Sequence, residues 1–152
     1  MNTGDGLAQD WQIRAFVYRH FVEETRAPSM EETAKACGIE INEAEAALRR
    51  LHDRHALYFD SESHTVRMAN PFSGIPTSFI VQANDRAYYA NCAWDALGIA
   101  AALHADALIE TVCAESQQRV DLRVVDDEVI GHREIVHFSL PVRRWYEDLV
   151  FT

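Results

Sequence analysis

The run Tyr88-Tyr89-Ala90-Asn91-Cys92-Ala93-Trp94-Asp95-Ala96-Leu97 changes its period midway. Residues 87–89 read as a short aromatic strand. Residues 92–103 read as a helix, with Ala96, Ile99 and Leu103 in phase. Cys92 and Asp95 are three apart at the start of that helix, so they share a face and can address one ligand. A helix N-terminus favours thiolate, the form that binds soft metals or attacks electrophiles. The neighbouring carboxylate pushes the other way; if buried, it holds a proton and can serve as a general acid. Spacing alone favours a plainer account, in which Cys92 packs as a small apolar residue and Asp95 is an ordinary first-turn acid.

Outward from this run, residues 78–81 and 87–89 form short strands around an Asn84-Asp85 turn, and residues 107–113, 120–125 and 135–138 are further strand candidates. Asp126-Asp127-Glu128 reads as a solvated turn, and His137, on an alternating strand, as a core residue. Pro141 opens a last helix containing Trp145 and Leu149. Upstream, residues 70–76 are rich in Pro, Gly and Ser and read as a linker. Before them, Ile13, Phe16, Val17 and Phe21 make residues 10–24 a helix. Ser29 and Glu32 make a capping box for a second helix over residues 30–37, which Gly38 stops. Ala44, Leu48 and Leu51 form the buried face of a third helix. Strands at 57–59 and 65–68, joined at Ser61-Glu62-Ser63, complete a wing. The expected fold is α+β: a winged-helix-like unit, residues 1–70, packed on a mixed β unit, residues 71–152, that carries the Cys92 helix.

Composition narrows the function. Of the 152 residues 48% are apolar, enough for a real core, and no apolar run reaches membrane-spanning length. The start is polar and acidic, with no basic segment followed by an apolar one, which points to the cytoplasm. The net charge of -10 repels phosphate backbones. Residues 1–70 carry 12 acids against 8 Lys and Arg, and Glu43 and Glu45 head the third helix, with Arg49, Arg50 and Arg54 as compensation. These charges favour a scaffold role for the three helices over nucleic-acid binding. The odd set of Cys37, Cys92 and Cys113 reads as free thiols, with Cys37 in the core of the first unit. Seven scattered histidines (His20, His52, His55, His64, His104, His132 and His137) form no close ligand pair, and no phosphate-binding loop is present, so neither zinc nor another cofactor is expected.

The segment Asn91-Cys92-Ala93-Trp94-Asp95-Ala96-Leu97 resembles the active-site segment of the organomercurial (alkylmercury) lyase family, a Cys-Ala-x-Asp pattern opening a helix. Asn70-Pro71-Phe72-Ser73-Gly74-Ile75-Pro76-Thr77 is similar to the linker of the broader group, and Val136-His137-Phe138 and Arg144-Trp145 resemble it too. A winged-helix-like first domain also fits, so the resemblance covers nearly the whole chain. It implies protonolysis of a carbon–mercury bond, with two thiolates on mercury and an Asp delivering the proton. Carried over, Cys92 is the first mercury ligand and Asp95 the proton relay. Cys113 stands where the family has a mainly structural cysteine. The sequence departs from the pattern at the second mercury ligand: His132-Arg133-Glu134-Ile135-Val136-His137-Phe138, where a preceding cysteine is expected, has none. Cys37 and Cys113 are the candidates for a second thiol within the chain, and a continuation past Thr152 would be the other place for one. The implied partners are an organomercurial or soft metal ion, with small thiols as product acceptors. Two alternatives stand beside catalysis: a non-catalytic soft-metal binding protein, and a helix-turn-helix regulator sensing metal through Cys92.

Overall fold

The computed structural model describes residues 3–130 and 135–149. Three helices come first: α1 (Thr3–Glu24), α2 (Met30–Cys37) and α3 (Ile41–Asp53). α1 starts well before Asp10, because its first turns are polar and carry no apolar stripe for the period to register. At α2 the expected capping box forms. Ser29 Oγ accepts from Glu32 N at 3.1 Å, and Ser29 N donates to the Glu32 carboxylate at 2.7 Å. Arg26 grips the same carboxylate at 2.5 and 2.8 Å, which holds it far down, at about 2. Gly38, at φ 66, ends the helix.

α1 and α3 are joined twice. Ile13, Val17 and Phe21 share a buried cluster with Leu48 and Leu51. Asp10, fully buried, receives Arg50 at 2.6 Å and Arg54 at 3.1 Å. The two arginines remain partly exposed, so the carboxylate alone bears most of the desolvation, and it is matched by charged donors.

The strands are β1 (Tyr58–Asp60), β2 (Thr65–Ala69), β3 (Phe72–Ser73), β4 (Phe79–Ala83), β5 (Arg86–Ala90), β6 (Ala107–Val112), β7 (Arg119–Val125) and β8 (Glu128–Ile130), with α4 (Ala93–Leu103) between β5 and β6. They form one antiparallel sheet in the order β1-β2-β3-β5-β4-β6-β7-β8. Asn84-Asp85 and Asp126-Asp127 each place two residues at positive φ, the backbone of the tight turns that match strand twist. The segment read as a linker contributes β3, whose two residues pair with β2 and β5. Phe72 of β3 stacks on Phe21 of α1 at 5.5 Å and lies 5.6 Å from Tyr88 of β5. Helices and sheet thus share one core, with Ala96, Ile99 and Ala100 of α4 buried in it.

Two expectations are corrected near the end of the chain. Residues 135–138 form no strand, and His137 is exposed rather than in the core. The alternation of Val136 and Phe138 mimics a strand, but Phe138 is held by aromatic contacts instead of a ladder. In place of the last α-helix there is a 3-10 helix, Val142–Glu147, which leaves Leu149 in the turn beyond it. His132, Arg133 and Glu134 lie outside the described residues. Among the described residues no helix is long and apolar enough to cross a membrane.

Candidate active site

β5 ends at Ala90, and two residues later the chain enters α4. Cys92 is the N-cap, in extended conformation at φ -153 and ψ -179, with its carbonyl accepting from Ala96 N at 2.9 Å. Its side chain makes no cap hydrogen bond. Burial pushes the thiol up. The first-turn amides of Asp95 and Trp94 pull it down without overcoming burial, and the Asp95 carboxylate adds to the rise. Asp95 is likewise raised from its ordinary value by burial, partly offset by the Asn91 amide and the Cys92 thiol. The two groups are direct neighbours in a desolvated place. Desolvation favours the neutral form of each relative to the free group, and a charge on either would disfavour a charge on the other.

Asn91 ties this pair to the rest of the fold. Its Nδ2 donates to Asp95 Oδ2 at 3.1 Å and to the Phe72 carbonyl at 3.2 Å, with the Pro71 carbonyl at 3.4 Å. Its Oδ1 is buried with no partner among the described residues. The segment that Asn91 grips also packs on α4: a Cβ built on Gly98 would stand 3.2 Å from the Pro71 side chain. Across the segment, the Tyr18 hydroxyl donates to the Asn70 carbonyl at 3.0 Å. Burial raises the Tyr18 phenol; Arg14 lowers it, and the nearby Asp95 raises it again.

Cys92 and Asp95 face a small cavity of about 70 Å³, with Asn70, Asn91 and Met68 on its inner side. A water needs roughly 15 Å³ of such space, so a group of a few heavy atoms fits. Its outer side is aromatic. Trp94 meets Phe138 edge-on at 6.2 Å, Phe138 lies 5.1 Å from Trp145, and Trp145 Nε1 donates to the Leu140 carbonyl at 3.0 Å. The stretch from residue 138 to 149, which lines the cavity through Phe138, Trp145 and Leu149, therefore forms a strap beside the site.

The pair expected from spacing, Cys92 and Asp95, is brought together. Cys113 is not: it follows β6 in the turn closed by Gln117 N and Gln118 O, and it does not line the cavity. Its thiol is held below the ordinary value by the Ser116 hydroxyl and by the amides of Ser116 and Glu115. Cys37 packs beside the core at the end of α2, where burial raises it. Among the described residues, Cys92 is thus the one thiol at the cavity. Read from the sequence, Asn91, Tyr18 and the strap aromatics have no role at the site, although Trp94, Phe138 and Trp145 fall in segments that carry the resemblance. Asn91 stood beside Cys92 in the key segment, but its partners lie in residues 70–72 and only the fold brings them near.

The chain matches the family described as alkylmercury lyase over residues 72–151. Among solved structures it is similar to the mercury-bound form of MerB2, with a TM-score of 0.65 and 20% sequence identity, covering 81% of this chain and 59% of that one. At that identity the likeness establishes the fold. The chain spans 59% of the length of that relative. No match is found among the curated proteins.

Proposed function

The chain belongs to the alkylmercury lyase family, and from that premise we propose that it captures an organomercurial on Cys92 and transfers a proton to the leaving carbon through Asp95. The observation that carries this reading is the pairing of one thiol and one carboxyl, both desolvated, in a cavity beside an aromatic strap. Mercury is a soft acid and prefers sulfur to nitrogen or oxygen. In capture, the Cys92 S–H bond breaks, sulfur bonds to mercury, and the proton leaves with the ligand that mercury gives up. In cleavage, the carbon–mercury electron pair takes a proton and departs as hydrocarbon, and a second sulfur fills the vacated place on mercury. Asp95, raised by burial and held by Asn91 at 3.1 Å, is the group we assign to carry that proton. General acid catalysis of this kind contributes on the order of 10²–10⁴-fold.

One cavity thiol among the described residues also favours a second reading, a binder that captures without cleaving. The two differ in release of the hydrocarbon from phenyl- or methylmercury with excess small thiol. The enzyme reading expects slow release from this chain. It also expects Cys92→Ser to lose the mercury adduct seen by intact mass and to lose release with it. An adduct and release rate unchanged in Cys92→Ser would remove Cys92 from the function.

A third reading, a metal-sensing regulator, draws no support from α3. Arg50 and Arg54 are engaged by Asp10, and Arg49 by Glu45 and Ser61. We place residues 1–70 as scaffold and residues 71–152 as the reacting unit, working in the cytoplasm, where thiols stay reduced.

A further inference from the structure

Asn91 presents one amide nitrogen to four oxygens. Nδ2 lies 3.1 Å from Asp95 Oδ2, 3.2 Å from the Phe72 carbonyl, and 3.4 Å from both the Pro71 carbonyl and Asn70 Oδ1. This shell fixes the orientation of the amide: turned over, its own oxygen would face four acceptors. An amide nitrogen carries two hydrogens, so the four oxygens share them. On the far side Asn91 Oδ1 is buried with no hydrogen-bond partner among the described residues. A buried acceptor left unpaired is unfavourable, and the donor end is what holds it there. The shell is anchored from outside the site. Tyr18 of α1 donates to the Asn70 carbonyl at 3.0 Å, and Phe72 of β3 pairs with Ala90, the residue before Asn91. Among the described residues, Asn91 is the one nitrogen donor to the Asp95 carboxyl, and the Cys92 thiol is its other hydrogen-bonding neighbour.

We propose that Asn91 is a positioning residue that fixes which oxygen of Asp95 carries the transferable proton: Oδ2 stays the accepting, carbonyl-type oxygen, and the O–H is at Oδ1. The inference rests on the carbon–mercury reading above and assigns an atom within it. A carboxylic acid has one O–H oxygen, and a proton on Oδ2 would meet the Asn91 N–H, donor against donor. A proton on Oδ1 leaves that bond intact. In cleavage the Oδ1–H bond breaks, the carbon–mercury electron pair takes the proton, and the hydrocarbon leaves. Asp95 is then a carboxylate, and the Asn91 bond to Oδ2 becomes charge-assisted, roughly twice as strong as a neutral one. The thiol that supplies the second sulfur returns its proton to Oδ1 as that sulfur bonds to mercury, with no change of oxidation state. Because two hydrogens serve four oxygens, Asn91 leans toward Oδ2 when it is charged and toward the Phe72 and Pro71 carbonyls when it is neutral. The amide keeps its bonds in both states, so the carboxyl holds its orientation through the cycle.

The first test needs no mercury. In acid solution where the chain stays folded, the carbonyl stretch of protonated Asp95 is located by infrared difference against Asp95→Ala. A hydrogen bond to a carbonyl oxygen lowers its stretch. Asn91→Leu, which keeps the size of the side chain and removes the donor, should therefore raise the band. A band that stays in place or falls puts the accepting bond elsewhere and overturns the proposal. The second test is hydrocarbon release at saturating phenylmercury with excess small thiol. Asn91→Leu should lower kcat by about tenfold, the scale of one hydrogen bond, with KM and the Cys92 adduct unchanged. In the Asp95→Ala background the same substitution should change release by less than about twofold, since a residue acting through Asp95 is silent once Asp95 is gone. Equal losses in both backgrounds, loss of the adduct, or release by Asn91→Leu at the wild-type rate would each overturn the proposal. Asn91→Ser, too small to overpack, takes both tests if the leucine variant does not fold. A raised band with no release by the wild-type chain supports the assignment of the proton to Oδ1 and counts instead against the carbon–mercury reading.

Discussion

Cys92, Cys37 and Cys113 are one residue type in unlike settings, and the differences are measurable. Burial lifts Cys92 and Cys37, whereas Cys113 is lowered by the Ser116 hydroxyl and two backbone amides. Thiolate is the reactive form, so rate follows its fraction. At neutral pH iodoacetamide should therefore label Cys113 first, with peptide mass analysis as the readout. Because Cys92 is raised, its labelling should keep climbing with pH past the ordinary thiol value of about 8.5. Labelling of Cys92 ahead of Cys113 at neutral pH would contradict its setting. On the proposed reading, capture of a soft ion at Cys92 would release the thiol proton. At this scale the sequence was only partly legible. Cys92 and Asp95 could be paired from helical spacing, because three residues along a helix is a fixed geometry. Asn91 could not be given its role, since its amide partners lie some twenty positions away in residues 70–72.

Among the elements, those set by local chemistry were legible and those set by tertiary contact were not. Ser29, Glu32 and Gly38 bound α2 through their own hydrogen bonds and backbone angles, and Ala96 and Ile99 reveal the buried face of α4. β3 and β8 have only two and three residues, too short for a period, and exist because the sheet supplies their partners. The strap misleads for the opposite reason: its alternation is genuine but is used against Trp94 and Trp145 rather than a neighbouring strand. The segment carrying β3 is also tightly seated. Gly74 N donates to the Arg67 carbonyl at 2.7 Å, and a Cβ on Gly74 would stand 2.1 Å from the Val66 carbonyl oxygen. Backbone cannot yield as a flexible side chain can, so Gly74→Ala should destabilise the fold by about 1–3 kcal/mol in denaturant unfolding. A loss under 0.5 kcal/mol would show that this contact does not fix the segment.

Across the whole molecule, the acidic balance and the continuous core support the scaffold role proposed for the helices. The chain carries -10 overall, and Arg50 of α3 and Arg54 just after it pair with the buried Asp10. Asp10→Ala should release Arg50 and Arg54 to solvent, and the loss of charge-assisted bonds should cost about 1.5–3 kcal/mol. A thermal melt should then shift downward by roughly 3–12 °C at this chain length; an unchanged melt would mean the buried pair is neutral to stability. The proposed supporting role fits the contacts: Phe21 of α1 stacks on Phe72, Tyr18 of α1 donates to the Asn70 carbonyl, and Asn91 joins the Phe72 carbonyl to Asp95. The central claim is the division of labour between thiol and carboxyl, and one measurement addresses it directly: hydrocarbon released from phenylmercury by Asp95→Ala, alongside the mercury adduct on Cys92 by intact mass. The account predicts an adduct as abundant as in the wild-type chain with release reduced by about 10²-fold or more. Release at the wild-type rate from Asp95→Ala would contradict it.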